Sequence, residues 1–311
     1  MANFYGSYIG FGAGVSGVAE VVFGGENYGF VCGRHPEENA TNRWSFASGT
    51  QNGADWGTTV GTGRYTKGGH SDKANAYSYN TGGYGPPINE IVRFSMTSSS
   101  TSNDVGDLTQ TGDNYASMGT ATHGYIAGNS SNDQSRVEKF AFASSADAED
   151  WSDLMADHQG AVGATNGTAT YGYTMGGREP GVYSDRIQKI NLTAQATATD
   201  ASNLTSGQGR GTGGGTSSST HGYMAGGYGA AGTSNVIDKF AFATDADATD
   251  VGDTTVSIHS RGGSSSTTYG YTLGGTGPLD VIERHSFSSD GDSADVGDLS
   301  EVYASPAGTQ Y

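Results

Sequence analysis

Two turns near the end of the chain carry its densest groups of carboxylates, and carboxylate oxygens are the ligands that calcium prefers. Both turns follow the pattern Asp-x-Asp-x-x-Asp-x-x-Asp. A Ca²⁺ ion takes about six to eight oxygen ligands, so these turns form a candidate calcium site. The spacing and glycine of an EF-hand loop are absent, and two other copies of the turn lack the leading acids. The sequence therefore favours the alternative that each aspartate caps its own turn, and no cofactor is expected; the residues concerned are Asp245, Asp247, Asp250, Asp253, Asp290, Asp292, Asp295 and Asp298.

Histidine and cysteine supply no further catalytic pattern. None of the seven histidines forms a His-x-His or His-Glu-x-x-His arrangement. His123 and His221 stand where related segments have tyrosine, which indicates a structural role. Cys32 is the only cysteine, so no intrachain disulfide can form. We therefore expect a protein that is not an enzyme.

The elements that must position these residues are six copies of one segment. The clearest copy, Tyr-Gly-Tyr-Thr-Met-Gly-Gly at 171–177, returns as Tyr-Gly-Tyr-Thr-Leu-Gly-Gly at 269–275. The leading residues of the copies lie 46 to 50 residues apart and are Tyr28, Tyr77, His123, Tyr171, His221 and Tyr269. A period of this length indicates a solenoid, a propeller or an array, because one unit cannot bury its apolar face alone.

Each copy has the pattern of four short strands separated by turns, which predicts an all-β propeller of six four-stranded blades. Seven blades would require residues 1–27 to supply most of a further blade. A terminal strand must close the ring, because an open edge invites aggregation. The tail 302–311 is favoured for this over residues 18–23. We expect residues 1–20 to be an anchor or an extra strand and residues 21–311 to form the propeller.

Each copy also carries one basic residue in its third strand and one aspartate in the turn that follows. A partly buried charge needs a partner, so we predict one cross-strand ion pair or hydrogen-bonded clamp per blade. The cations are Arg43, Arg93, Lys139, Lys189, Lys239 and Arg284, and the aspartates are Asp55, Asp104, Asp150, Asp200, Asp250 and Asp295.

The repeat resembles the kelch repeat of the propeller in galactose oxidase. The resemblance rests on a strand that ends in Gly-Gly, a tyrosine in that strand, an apolar third strand and a tryptophan opening the fourth, as at Trp56 and Trp151. Arg210 and Arg261 match the arginine that often opens a kelch unit. The strings Val-Gly-Asp-Leu and Asp-Lys-Phe-Ala-Phe are also similar to repeat proteins of marine bacteriophages. The oxidase resemblance would imply a copper site with a Cys–Tyr link, but Cys32 occupies a core position of its strand, so the resemblance implies the fold and not the chemistry.

The loops that differ between copies are the candidate binding surface. Tyrosine rings can stack on a ligand while Arg, His, Asn and Gln orient it. The loops after the second strand and the loops that join blades meet at one face of a propeller. We expect this face to bind through Arg34, His35, Tyr84, Arg178, Tyr183, Tyr228, Arg64, Tyr65, Tyr115, His158 and Arg210.

The net charge of the chain limits the classes of partner that it can bind. The net charge is -17, which disfavours binding to nucleic acid and to anionic lipid, and no apolar run reaches the length of a membrane span. The first residues lack the pattern of a Sec signal peptide. The sequence therefore predicts a non-enzymatic binding propeller, present in several copies on a virion or extracellular surface, such as a phage tail or capsid decoration that contacts virion proteins or host glycans. The alternatives are a secreted carbohydrate-active enzyme and an intracellular kelch-type scaffold.

Overall fold

A computed structural model describes residues 27–34, 38–47, 51–57, 68–85, 88–130, 135–166, 168–205, 209–277 and 279–308. These residues form an all-β propeller of six blades, each with four strand positions in antiparallel order. The predicted fold class and blade number are confirmed. The proposed role of residues 1–20 lies outside the described residues.

The strands are as follows, in chain order. Blade one contains β1 (Tyr28–Arg34), β2 (Glu38–Ser45) and β3 (Ala54–Asp55). Blade two contains β4 (Gly68–Asp72), β5 (Tyr77–Thr81), β6 (Ile88–Ser95) and β7 (Asn103–Gly112). Blade three contains β8 (Ala116–Gly119), β9 (His123–Ala127), β10 (Arg136–Ala141) and β11 (Glu149–Asp153).

Blades four to six continue the pattern with small additions. Blade four contains β12 (Val162–Thr165), β13 (Tyr171–Met175), the hairpin β14 (Arg178–Glu179) and β15 (Val182–Tyr183), then β16 (Arg186–Asn191) and β17 (Thr199–Asn203). Blade five contains β18 (Arg210–Gly211), β19 (Gly214–Ser217), β20 (His221–Gly229), β21 (Gly232–Ala241) and β22 (Thr249–Asp253). Blade six contains β23 (Gly262–Ser265), β24 (Tyr269–Leu273), β25 (Leu279–Ser286) and β26 (Ala294–Tyr303).

The last strand, β27 (Ala307–Gly308), closes the ring as the innermost strand of blade one. It pairs with β1 through Val31 opposite Gly308 and Cys32 opposite Ala307. The preference for closure by the C-terminal tail is therefore confirmed. Closure removes the inner edge that β1 would otherwise expose.

The core lies between blades, and the second-strand tyrosine is its main connector. Tyr173 of blade four stacks on Phe242 of blade five with ring centroids 5.1 Å apart, and its hydroxyl donates to the Phe242 carbonyl at 3.4 Å. Tyr79 makes the same contact with Phe142, at 4.9 Å between rings and 2.9 Å for the hydrogen bond. Blades two to six thus bury a second-strand tyrosine in the next blade, and blade one places Phe30 against Phe94 in the same way.

The Gly-Gly pair at the end of the second strand serves the same interface. In blade four, Gly176 has φ 60° and Gly177 has φ 102°, conformations that residues with a Cβ rarely adopt. In this conformation the Gly177 N–H donates to the Arg210 carbonyl of the next blade at 2.8 Å. The equivalent Gly275 N–H donates to the Tyr303 carbonyl at 2.8 Å. The signature that defined the repeat therefore fixes the segment through which the chain passes into the next blade.

In the part of the chain that the structure describes, no helix is both long and apolar enough to cross a bilayer.

Removal of residues 304–311 should open the ring. The truncated chain loses β27 and exposes the inner edge of β1, so we expect a broad, non-cooperative thermal transition and concentration-dependent aggregation. Circular dichroism melting and light scattering measure both effects. Addition of a peptide of residues 304–311 should restore a single sharp transition, and a truncated chain that melts like the full chain would contradict closure by β27.

Candidate binding face

One face of the propeller differs from the other in the side chains that it exposes. The loop face is formed by the loops between second and third strands, such as 176–185, and by the segments that join blades, such as 254–261. The turn face, on the opposite side, is formed by turns such as 193–198 and 243–248. All exposed large hydrophobic side chains of the described residues lie on the loop face, with 39 to 67% of their surface exposed: Tyr84, Met155, Val182, Tyr228, Val256 and Val302. The turns 193–198 and 243–248 consist of small, polar and acidic residues.

Three rings form a continuous row on the loop face, which we call the aromatic row: Tyr183, Tyr228 and His259. The Tyr183 and Tyr228 centroids lie 5.7 Å apart at an interplanar angle of 69°. The Tyr228 and His259 centroids lie 5.2 Å apart at 60°. The guanidinium of Arg178 lies 5.9 Å from the Tyr183 ring centroid. The row crosses from blade four through blade five to the start of blade six.

The outer end of the row is fixed by the hairpin of β14 and β15. Arg178 and Gln159 exchange two backbone hydrogen bonds, of 2.8 and 3.1 Å, which tie the hairpin to the segment that joins blades three and four. Glu179 accepts hydrogen bonds from Ser184 Oγ at 3.0 Å and from Arg186 Nη1 at 2.9 Å. The hairpin extends the loop of blade four, as the extended strands β20 and β21 extend that of blade five, and its contacts hold Tyr183 in place.

The inner end of the row is fixed by His259. Its Nδ1 lies 2.9 Å from Ser260 Oγ and 3.3 Å from Thr276 Oγ1, and the Thr276 N–H donates to its carbonyl at 2.9 Å. Burial lowers the pKa of His259, so the ring is neutral at neutral pH. The row therefore presents uncharged ring surface at positions that the protein sets in advance.

Beside the row the propeller axis opens into a cavity with a mixed polar and apolar lining, which we call the axial mouth. Its lining includes Asn114, Tyr115, Thr212, Ser260 and Ser305, together with glycines of the innermost strands. Asn114, Thr212, Ser260 and Ser305 hold equivalent places before the innermost strand of their blades. All four have positive φ between 55 and 57°, a conformation that is uncommon outside glycine.

The backbone of these residues forms a chain of hydrogen bonds that runs from blade to blade beside the axis. The Thr212 N–H donates to the Gly160 carbonyl at 2.6 Å, and the Ser260 N–H donates to the Thr212 carbonyl at 2.6 Å. The Ser305 N–H continues the chain to the Ser260 carbonyl at 3.0 Å. Because these backbone groups bond to each other, the side chains are the groups left to meet a ligand in the axial mouth.

Several residues predicted from the loops for binding do lie at the surface of the loop face. Tyr84, Arg178 and Tyr228 are exposed and Tyr183 is half-buried. The side chain of Arg34 and all of His35, Arg64 and Tyr65 lie outside the described residues. Sequence position alone did not identify His259 or Thr276 as neighbours of the tyrosines.

Three residues predicted for the binding face are buried instead. Arg210 donates from Nε to the Gly226 carbonyl at 2.9 Å and its Nη2 lies 2.6 Å from Asp238 Oδ2. His158 is 1% exposed and its Nε2 contacts the Gly176 carbonyl. Tyr115 is 8% exposed and packs against Gly82. These side chains are buried because the segment that joins two blades turns inward before the innermost strand and packs under the Gly-Gly turn.

The partners of these buried groups come from a polar position in the third strand that the sequence analysis passed over. Asp238 accepts from the Thr205 N–H at 3.2 Å and Glu283 accepts from the Thr255 N–H at 2.6 Å, each reaching the segment that follows the outer strand of the preceding blade. Arg261 pairs with Glu283, and both side chains are fully buried. In the sequence this position is visible as an acidic residue directly before the repeated cation of the third strand. The other residues of that strand have the pattern of a buried strand.

The predicted ion pairs within each blade are replaced by other contacts. Asp250 lies opposite Asp238 in the ladder and Asp200 lies opposite Gln188, so each aspartate points away from the face that carries Lys239 or Lys189. The cations cover aromatic rings instead, with Arg43, Arg93, Lys139, Lys189 and Arg284 over Tyr28, Tyr77, Trp151, Tyr171 and Tyr269 at 3.9 to 4.5 Å.

Several of the repeated cations and aspartates form ion pairs or hydrogen bonds with residues other than those predicted. Lys189 pairs with Asp245 at 2.9 Å and Lys239 pairs with Asp290 at 2.7 Å, both in the next blade. Asp150 and Asp200 approach Arg136 and Arg186 at 3.6 Å. The other four aspartates accept from the glycine N–H two residues later at 2.8 to 3.2 Å; these are Asp55, Asp104, Asp250 and Asp295.

These contacts also account for the aspartate-rich turns. Asp247 Oδ1 accepts from the Asn203 N–H at 2.9 Å, and Asp292 Oδ1 accepts from the Asp253 N–H at 3.0 Å, each across a blade boundary. Among the described residues, no three acidic, histidine or cysteine side chains converge as a metal site would require. Through these contacts the turns from Asp245 to Asp253 and from Asp290 to Asp298 connect neighbouring blades.

Comparison with known proteins identifies the fold of this chain but does not assign it to a family. No protein-family model matches the chain, and no curated protein matches it. Solved structures do match, and one of them, titled "Structure of YjhT", aligns with a TM-score of 0.67 at 11% identity over 80% of this chain and 87% of that chain. At this identity the likeness shows the propeller fold alone. The same fold recurs among 325 matching chains, so function must be argued from the site.

Replacement of Arg210 by alanine should destabilise the protein by about 3–5 kcal/mol, because it leaves Asp238 buried without its cation. The double variant Arg210→Met with Asp238→Leu should lose less, since it removes both charges. Urea unfolding followed by tryptophan fluorescence measures the difference. Arg178→Ala, an exposed control, should stay within about 0.5 kcal/mol of the wild type. A double variant less stable than Arg210→Ala would contradict the pairing.

Stability should fall as pH drops from 6.5 towards 4. Burial lowers the pKa of His70 and His285 to about 4, so between these pH values the unfolded chain binds more protons and is favoured, by on the order of 3 kcal/mol per histidine. Asp113, whose pKa burial raises to about 6, acts in the opposite direction and offsets part of the loss. Unfolding midpoints from pH 7 to 4 measure the sum. His70→Gln should flatten the decline, and an equal decline in that variant would refute the assignment.

Proposed function

We propose that this chain is a non-enzymatic binding propeller of the kelch-like type, displayed on a virion as a tail or capsid decoration protein, and that the loop face is its contact face. One observation carries the proposal. The exposed large apolar side chains of the described residues all lie on the loop face, and exposed apolar surface gathered on one side of a soluble protein marks an interaction site.

The composition of this face supports contact with a partner. Interface centres are enriched in tyrosine, methionine and arginine and depleted in acidic residues. The loop face exposes Tyr84, Tyr228, Met155 and Arg178. The partners that fit are other virion proteins or host-surface glycans, with several copies of the chain in one assembly.

Charge supports an orientation in which the turn face meets solvent. The turn face carries the repeated aspartates, among them Asp245, Asp247, Asp290 and Asp292, and the whole chain has a net charge of -17. A strongly acidic surface stays hydrated and repels nucleic acid and anionic lipid. The proposed location is thus a virion or extracellular surface.

The test begins with particles purified from the source culture on a density gradient. We expect mass spectrometry to find the chain with capsid or tail proteins at a fixed ratio. Antibodies raised against residues 243–247 of the turn face should label intact particles, whereas antibodies against residues 180–184 of the loop face should label them only after disruption. A chain found only in the soluble cell fraction would contradict the proposal.

The enzyme alternative is decided separately. The purified chain is incubated with neutral and acidic polysaccharides, and reducing ends and peroxide are measured to report hydrolysis and oxidation. We expect no product above the level of a heat-denatured control. Turnover that scales with protein concentration would replace the proposed role with that of a carbohydrate-active enzyme.

A further inference from the structure

We infer that the aromatic row and the axial mouth together form one binding site for a neutral carbohydrate chain. This inference rests on the proposed function and deepens it, because it names the ligand of the loop face. Three features carry it: the continuity of the row with the mouth, the chemistry of the mouth and the fixed positions of the rings.

The row leads into the mouth without a break. Tyr183 contacts Tyr228, and Tyr228 contacts His259, through ring centroids 5.7 and 5.2 Å apart. His259 then contacts Ser260 through Nδ1 and Oγ at 2.9 Å, and Ser260 lines the mouth. A linear ligand can therefore lie along the rings with its end in the mouth.

The mouth offers polar side chains, and none of the described residues that line it carries an unpaired charge. Asn114, Thr212, Ser260 and Ser305 supply amide and hydroxyl groups. Arg261 also lines the mouth, but its charge is paired with the buried Glu283. Uncharged donors and acceptors of this kind match sugar hydroxyls, and they offer nothing to compensate the charge of a phosphate or carboxylate.

The backbone conformation supports a functional site at the same place. Four equivalent non-glycine residues hold positive φ around the mouth: Asn114, Thr212, Ser260 and Ser305. Such conformations cost about 1–3 kcal/mol each and concentrate at ligand sites. They are held by the chain of backbone hydrogen bonds, so the side chains are set before a ligand arrives, which lowers the entropy lost on binding.

The rings favour a sugar over a polypeptide as the occupant. A pyranose has an apolar C–H face and a hydroxyl edge, so it can meet a tyrosine ring and a polar wall together. The row offers ring surface on one side, and Thr276 and Ser260 offer hydroxyls beside it. A protein segment docked here would instead use the exposed Val182 and Met155 at the rim, and this possibility is an outcome of the test.

The probes are an array of neutral gluco-, galacto- and manno-oligosaccharides together with sialylated and uronate-containing ones, followed by calorimetry with the best neutral binder. We expect binding to neutral probes only. Tyr228→Ala should weaken it about tenfold or more, which corresponds to about 1.4 kcal/mol. Thr212→Val, which removes one hydroxyl of the mouth at nearly constant shape, should weaken binding as well.

Two matched variants control the experiment. Gln195→Ala and Thr244→Ala each alter an exposed polar residue of the turn face, on the opposite side from the row and the mouth. Both should bind within about twofold of the wild type. Thermal melting shows that every variant is folded before binding is compared.

The inference fails if no neutral oligosaccharide binds, if only acidic sugars bind, or if Tyr228→Ala binds like the wild type. Particle association separates this failure from that of the proposed function. If the array is empty but Tyr228→Ala detaches the chain from particles, the loop face still binds and its occupant is a protein. If the chain is also absent from particles, the proposed function falls with the inference.

Discussion

The structure depends on one contact that repeats around the ring, in which the second-strand tyrosine of one blade is buried against the third strand of the next. Tyr223 stacks on Phe287 with centroids 5.0 Å apart, and Tyr271 of blade six stacks on Phe46 of blade one at 4.9 Å. Stacked aromatic pairs contribute about 0.5–1.5 kcal/mol beyond the area that they bury. The contact from blade six to blade one closes the ring, so no blade is left with an uncovered partner face.

The Gly-Tyr pair that the copies Tyr-Gly-Tyr and His-Gly-Tyr share is explained by the same contact. Tyr223 reaches into blade six, and Gly222 beside it lies under Phe240 of its own blade, where a Cβ would meet the ring. The glycine leaves space for one aromatic ring while the tyrosine fills space in the neighbour. Because this packing occupies both faces of each sheet, the groups available for binding are those of the loops. Here the loops of one face carry the exposed rings.

The sequence predicted the architecture well because the period and the glycine pairs report directly on repeated inter-blade contacts. The sequence did not predict which loop residues are buried. Spacing places a residue in a loop, but it does not tell how deeply the side chain lies in the protein. Arg210 and His158 lie in segments that join blades, as expected, yet both turn inward beneath a Gly-Gly turn. It also failed on the partners of charges, because each predicted aspartate is one ladder position away from its cation. Asp245 pairs with a lysine of the preceding blade, a contact between segments that no pattern within one copy could reveal.

The sequence identified only a part of the candidate site, because contacts between distant segments cannot be read from spacing. Tyr183 and Tyr228 stood out as aromatic residues in loops that vary between copies. His259 did not, because its role comes from the approach of two loops that are distant in sequence. The axial mouth was invisible in the sequence, since it is made from serines, a threonine and glycines whose positions matter more than their types.

Hydrogen exchange of the Tyr173→Ala variant tests the central claim most directly, because it reports on every blade at once. Loss of a buried aromatic side chain of this kind costs about 3–5 kcal/mol. If the ring stands as one cooperative unit, protection should fall by the same free energy in blades far from the substitution, including β1. Protection that falls only in blades four and five, while β1 exchanges as in the wild type, would show that the blades are stable independently and would contradict the account.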